Sequence, residues 1–123
     1  LDIFEVFDFA DPNISSGNRA TTTRPTQALF LLNSPFMIDR SVKSAELLLK
    51  LEELDDAGRL ERAYLRILSR PPDKKEISLA TDYLKSHPYR QKTKETEIAA
   101  GRLEAWAGLC QALLSCNDFR YLK

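Results

Sequence analysis

The sequence is poor in the residues and patterns that carry recognisable chemistry. It has one histidine and two cysteines in 123 residues, and it contains neither a CxxC nor a CxxCH pattern. A structural zinc site or a covalently attached haem within this chain is therefore not expected. A Gly-rich phosphate loop and a GxSxG nucleophile motif are also missing. The sequence predicts no cofactor and no catalytic activity for this segment alone.

Long apolar runs and an excess of one charge are missing as well. No run approaches the ~20 apolar residues that a membrane-spanning helix needs. Lys plus Arg and Asp plus Glu both number 18, so no net charge attracts the chain to nucleic acid or anionic lipid. The first residues do not resemble a signal peptide. Because the chain begins with Leu1, we interpret it as a segment of a longer polypeptide.

The composition is that of an ordinary globular domain. Hydrophobic residues make up 43% of the chain and charged residues 29%, which is too apolar for a disordered segment. A chain of this length buries roughly two-thirds of its unfolded surface, which is enough for a core without disulfides or metals. We therefore expect one domain, with an arm and a polar loop over 1–24 and a helical bundle over 25–123.

Proline next to a capping residue marks the first two predicted helices. Pro25 and the pair Ser34-Pro35 each place proline in a first helical turn, where its missing N–H has no partner. We therefore predict a short helix over 25–33 and a second helix over 36–51.

Apolar residues at helical spacing, and the residues that interrupt it, predict three further helices. The third ends at Arg70, because Pro71-Pro72 forbids its continuation. Asp73 and Glu76 have the spacing of a capping box, which opens the fourth helix. The predicted helices run over 55–70, 73–86 and 95–117, the last with Asn117 as its cap and an apolar tail, Phe119, Tyr121 and Leu122, folded back on the bundle.

These elements predict an all-α fold, an irregular orthogonal bundle of four to five helices with an extended N-terminal arm. The polar residues 88–96 are expected to form a surface loop. The last helix places Cys110 and Cys116 about 9 Å apart along its axis, which is too far for a disulfide. We therefore expect both cysteines to be buried packing residues.

The polar stretch before Pro25 holds the candidate binding residues. Free N–H groups and the helix macrodipole favour an anion at such a helix start. One hypothesis is a small anion, or a sulfated or carboxylated sugar. The favoured alternative is that Arg19 pairs with Asp8 or Asp11 while hydroxyls and amides satisfy the loop backbone. The residues concerned are Arg19, Thr22, Thr23, Arg24, Gln27 and Asn33.

Other polar and aromatic residues are interpreted as structural. His87 precedes Pro88 in a polar turn and is expected to be an exposed loop histidine. An acid/base pair for glycoside hydrolysis is conceivable, but the spacing selects none of the carboxylates Asp8, Asp11, Asp39, Glu46 and Glu52. Four aromatic residues are expected in the core, and the alternative is that they line a groove that stacks on a sugar. They are Phe30, Phe36, Tyr64 and Trp106.

Several short stretches resemble one protein family. They read FD (7–8), DPN (11–13), PTQALFLLN (25–33), LSRPP (68–72) and WAGLCQALLSCNDFRY (106–121). On these residues the chain resembles the planctomycete-type domain of unknown function, family number 1553, at the C-terminal end of large secreted proteins. Those proteins often carry a cytochrome-c-like domain upstream. The resemblance implies an extracytoplasmic, multidomain bacterial protein, and it carries over no catalytic residues.

We therefore predict a non-catalytic helical interaction or scaffold domain whose partners are upstream domains of the same polypeptide. The alternative is a carbohydrate- or anion-binding module, or part of an enzyme site shared with an upstream domain. Neither nucleic acid nor a membrane span is expected.

Overall fold

The part of the chain that the structure describes contains four α-helices and one short 3₁₀ helix. A computed structural model describes the backbone of residues 34–122 and the side chains of residues 34–116. The helices are α1 (Pro35–Leu49), α2 (Asp56–Leu68), α3 (Lys74–Ser86), the 3₁₀ helix (Pro88–Gln91) and α4 (Glu95–Leu122). The predicted all-α fold is confirmed, and no strand occurs in the part of the chain that the structure describes. The predicted arm and the helix over 25–33 lie outside the described residues.

The predicted capping residues start the helices. The side chain of Ser34 accepts a hydrogen bond from the backbone N–H of Met37 at 3.1 Å, with proline in the first turn of α1. Asp55 caps α2 in the same way. At the start of α3 the backbone N–H of Glu76 donates to Asp73 at 2.8 Å, and the backbone N–H of Asp73 donates to Glu76 at 2.9 Å. The capping box is therefore confirmed.

Three predicted helix ends differ from the structure. Helix α1 ends at Leu49, two residues before the predicted end at residue 51. Helix α2 ends at Leu68, because Ser69 adopts a left-handed conformation with φ 60°, so the helix stops before Arg70. Helix α4 does not end at Asn117 but continues to Leu122. No glycine or proline follows Gly108, so nothing in the backbone forces an earlier end. The prediction that residues 119–122 fold back as a separate tail is therefore wrong.

Helix α4 is the centre of the core. Helices α1, α2 and α3 and the 3₁₀ helix all pack against it. Its middle is apolar on nearly every side, as expected for a buried helix. Cys110 and Cys116 are free and buried, as predicted. The other buried residues of α4 are mainly large or small hydrophobic residues: Ala105, Trp106, Leu109, Ala112, Leu113 and Leu114.

Two apolar residues that the periodicity assigns to the core are exposed instead. Phe36 is 68% exposed, and the Arg40 guanidinium lies over its ring. Successive helical residues point about 100° apart, so only one of the pair Phe36 and Met37 can face the core, and Met37 does. Ile77 is 41% exposed, because its neighbour Glu76 occupies the buried position.

A buried arginine joins the end of α1 to the start of α2. The Nε of Arg59 donates to the carbonyl of Leu48 at 3.2 Å, and its Nη2 donates to the carbonyl of Leu51 at 3.1 Å. The last carbonyl groups of a helix have no partner within the helix. Arg59 satisfies such groups and neutralises the negative end of the α1 dipole.

A second ion pair joins α2 to α3. The two guanidinium nitrogens of Arg70 donate to the two carboxylate oxygens of Glu76 at 2.7 and 2.8 Å. The Glu76 side chain is only 1% exposed, and it also closes the capping box. The Arg70 guanidinium lies over the ring of Tyr64. The hydrogen bonds to Glu76 raise the pKa of Arg70, and burial raises the pKa of Tyr64, so both groups keep their proton.

We expect Glu76→Gln to lower the free energy of unfolding by about 2–4 kcal/mol. The amide keeps the shape of the side chain, but it removes the charge that neutralises Arg70 and replaces one acceptor with a donor. Urea unfolding followed by circular dichroism measures the change.

The matched control is Asp39→Asn. Asp39 pairs with Lys43 at 3.1 Å on the exposed face of α1. Exposed pairs contribute little, so we expect a loss below about 0.5 kcal/mol. Equal losses in the two variants would contradict the structural role assigned to Glu76.

Candidate functional site

The binding residues predicted from the sequence lie outside the described part of the chain. They are Arg19, Thr22, Thr23, Arg24, Gln27 and Asn33, and their ligand-binding role stays a prediction. Three of the carboxylates considered for acid/base chemistry, Asp39, Glu46 and Glu52, are exposed. The side chains that the structure does bring together lie elsewhere, in a groove beside α4.

The groove lies between α1, the end of α3 and the middle of α4, and it has a volume of about 430 Å³. Ile38 and Val42 form its wall on α1, one helical turn apart. Leu103 and Ala107 form the facing wall on α4 with the same spacing. The polar lining residues are Tyr83, His87, Glu104 and Gln111. The result is an open groove with apolar walls on α1 and α4 and polar groups along one side.

His87 lies at the polar side of the groove. Its Nδ1 accepts a hydrogen bond from the backbone N–H of Tyr89 at 3.3 Å and caps the 3₁₀ helix. Its other ring nitrogen, Nε2, lies 3.7 Å from Glu104 Oε1. The His87 side chain is only 12% exposed. The prediction of an exposed loop histidine is wrong, because the chain after α3 folds into a 3₁₀ helix against α4.

Tyr83 forms the floor of the groove, and its hydroxyl group is already engaged. The hydroxyl donates to the carbonyl of Ala105 at 3.0 Å. A Cβ atom at Gly108 would overlap the Tyr83 Oη, so glycine is needed for this close approach. In the same way, a Cβ atom at Gly101 would overlap the Cβ of Tyr89. Burial raises the pKa of Tyr83 to about 12, so the phenol stays protonated.

The groove has the features of a binding surface, and its described groups do not form a nucleophile with an adjacent base. The Tyr83 proton is directed at a backbone carbonyl, and the acceptor nitrogen of His87 is occupied by a backbone N–H. Cys110 is buried in the core and does not line the groove, and burial raises the pKa of its thiol to about 12. Within residues 34–116, no three His, Cys, Asp or Glu side chains are grouped as metal ligands would be.

A smaller cleft of about 180 Å³ lies between α1, α2 and α4. Its base is apolar, with Leu48, Ile67 and Leu114, and two arginines, Arg40 and Arg66, lie at its edge.

Among the described helices, none combines the length and apolar character that a bilayer crossing requires.

The groove and the roles of Tyr83 and His87 were not predicted from the sequence. The groove is formed by residues of helices that are distant in sequence, so no local spacing reveals it. One signal was present in the sequence. Gly101 and Gly108 lie two turns apart within a strong helical pattern, where glycine costs about 1 kcal/mol relative to alanine and so indicates close packing.

Comparison with known proteins identifies the family. The family whose sequence model matches is described as PSD1, protein of unknown function (DUF1553), and the match covers residues 1–84. Because this is more than half of the chain, the chain belongs to the DUF1553 family, as the resemblance implied. The match includes α1, α2 and most of α3, and it ends before α4. No curated protein and no solved structure matches the chain.

We expect Gly108→Ala to destabilise the protein by about 1–3 kcal/mol, although alanine is the better helix former. The added methyl group must displace the Tyr83 hydroxyl. Tyr83→Phe removes that oxygen at a cost of about 1 kcal/mol. The double variant is then more stable than the sum of the single losses predicts, and chemical denaturation of the four proteins measures the coupling.

The control pair is Gly101→Ala with Tyr89→Phe. The overlap at Gly101 is with the Cβ of Tyr89, which phenylalanine retains. We therefore expect additive losses in this pair. Additive losses at Gly108 as well would contradict the contact between α3 and α4 described above.

Proposed function

We propose that this member of the DUF1553 family is a non-catalytic interaction domain that packs through the groove against another domain of the same polypeptide. We propose further that this polypeptide is a large extracytoplasmic bacterial protein. The observation that carries the first proposal is the pair of apolar walls, on α1 and α4, that face each other across an open groove.

The apolar residues of the groove form one continuous patch. Ile38 is 45% exposed and lies on the same face of α1 as Val42. Ala100, Leu103 and Ala107 follow one face of α4 and line the opposite side. Scattered apolar residues on a surface need no explanation, but a continuous patch with a polar edge is typical of an interaction site.

The polar edge of the groove is suited to a protein partner. Glu104 is 79% exposed, and the adjacent Gln111 is half-buried, so both have polar atoms at the edge of the groove. The aromatic residue of the described lining that could stack on a sugar, Tyr83, is buried below the groove. The lining therefore favours apolar side chains of a protein over a carbohydrate.

The size of the groove favours a partner on the same polypeptide. A groove of about 430 Å³ offers a limited apolar area, which by itself supports only weak association. Contacts between domains of one chain are typically small and partly polar, and covalent linkage raises the effective concentration to about the millimolar range. A tethered domain can therefore stay bound to a surface from which a free partner would dissociate.

Site-specific photo-crosslinking in the full-length polypeptide tests this proposal. Benzoylphenylalanine placed at Ala100, an exposed residue of the groove, should cross-link to another domain of the same polypeptide. The matched control is the same substitution at Ala57, an exposed alanine of α2 that does not line the groove. We expect no interdomain cross-link from position 57.

Four outcomes would each contradict part of the proposal. Cross-links from position 100 confined to residues 1–33 would show that the chain's own N-terminal segment fills the groove. Cross-links to a second copy would assign the groove to self-association. Turnover of a substrate by residues 1–123 alone would disprove the non-catalytic part. Recovery of the native protein in the cytoplasmic fraction of its cell would disprove the proposed compartment.

A further inference from the structure

Three arginines surround a single carboxylate at the start of α2. The Nη1 of Arg59 lies 3.1 Å from Asp56 Oδ1, and the Nη2 of Arg102 lies 3.4 Å from the same oxygen. The Nη2 of Arg90 lies 3.4 Å from Asp56 Oδ2. The arginines come from α2, α4 and the 3₁₀ helix. We call Asp56, Arg59, Arg90 and Arg102 the arginine cluster, in which three positive charges face one negative charge.

The three arginines are not equivalent. Arg59 is buried and committed to the carbonyl groups at the end of α1. The side chains of Arg90 and Arg102 are 42% and 35% exposed. Their contacts with Asp56, at 3.4 Å, are longer than the 2.7–2.9 Å of a strong charge-assisted hydrogen bond. Asp56 therefore neutralises these two guanidinium groups only in part.

Arg90 is nevertheless held in a fixed orientation. Its Nε donates to the carbonyl of Leu84 at 3.2 Å, and its guanidinium lies 4.8 Å from the centre of the Tyr89 ring. Tyr89 in turn is buried and packs at Gly101 on α4, one residue before Arg102. The same contact therefore packs the 3₁₀ helix, which carries Arg90, against the segment of α4 that carries Arg102. Preorganised donors of this kind lose little entropy when a ligand binds.

The surrounding charges also favour an anion. Residues 85–94 include the basic residues Lys85, Arg90, Lys92 and Lys94 and no acidic residue. Asp55, the acidic neighbour of Asp56, is engaged as the cap of α2 through the backbone N–H of Gly58. Glu95 and Glu97 follow in the first turn of α4, but among the described residues the carboxylate in ion-pair contact with Arg90 and Arg102 is that of Asp56.

We propose that Arg90 and Arg102 bind a tetrahedral oxyanion, sulfate or phosphate, either as the free ion or as an ester group on a larger molecule. Guanidinium groups present planar pairs of N–H donors that match such oxygens. Arg59 fixes the Asp56 carboxylate, and Leu84 and Tyr89 fix Arg90, while the oxyanion supplies the negative charge that Asp56 alone does not. None of the four residues of the arginine cluster lines the groove, and this proposal does not depend on the function proposed above.

Isothermal titration of the 123-residue chain with sodium sulfate, against sodium chloride at equal ionic strength, tests the proposal. We expect saturable sulfate binding that Arg90→Gln and Arg102→Gln each weaken by about tenfold. The matched control is Arg62→Gln, which removes the same charge from an exposed position of α2 outside the cluster. Binding that Arg62→Gln weakens equally, or no saturable binding of sulfate or phosphate, would overturn the proposal.

A second variant keeps the test decisive if an arginine substitution impairs folding. Asp56→Asn removes the carboxylate that competes with the oxyanion and leaves all three arginines. We expect sulfate to raise the melting temperature of this variant more than that of the wild-type chain. An equal effect of sulfate on both proteins would show that the arginines serve Asp56 alone, and would overturn the proposal.

The source of the oxyanion is distinguished by titrating a sulfated disaccharide and a sugar phosphate beside the inorganic ions. Tighter binding of one ester than of its free ion assigns the site to that class of larger molecule. Equal binding of ester and ion assigns it to the free oxyanion.

Discussion

Close packing on the backbone of α4 is the constraint on which the rest of the structure depends. Tyr83 of α3 and Tyr89 of the 3₁₀ helix approach α4 at Gly108 and Gly101, where any side chain would overlap them. This approach sets the distance of α3 from α4 and gives the groove its floor. It also folds the segment after α3 against α4, which brings Arg90 near Arg102. Both the groove and the arginine cluster thus follow from the same two contacts.

Buried charges are used in this domain to join consecutive helices. Arg59 binds the end of α1 from within α2, and the pair of Arg70 and Glu76 fastens the end of α2 to the first turn of α3. In both cases a charged side chain bonds to polar groups at a helix end, and these hydrogen bonds offset the desolvation cost of burying the charge. The connections between helices are therefore specified by these directional hydrogen bonds as well as by the burial of apolar surface in the core.

The parts of the fold that depend on near neighbours in sequence were predictable. Caps such as Ser34 and the Asp73 and Glu76 capping box follow from spacing of three residues, and the breaks before α3 follow from Pro71-Pro72. The burial of Glu76 in place of Ile77, and of His87, depends on partners that only the tertiary structure supplies. The arginine cluster joins residues 56 and 102, and no local pattern connects positions so distant. The candidate residues between Arg19 and Asn33 remain predictions.

Native-state hydrogen exchange tests most directly whether packing on α4 holds the domain together. If it does, the amide groups of the α4 core, over 105–114, exchange only when the whole domain unfolds, with a free energy equal to that of global unfolding. The exchange of these amides should then depend on denaturant concentration as steeply as global unfolding does. Exchange of these amides through a smaller opening, while α1 or α2 stays protected, would contradict the account.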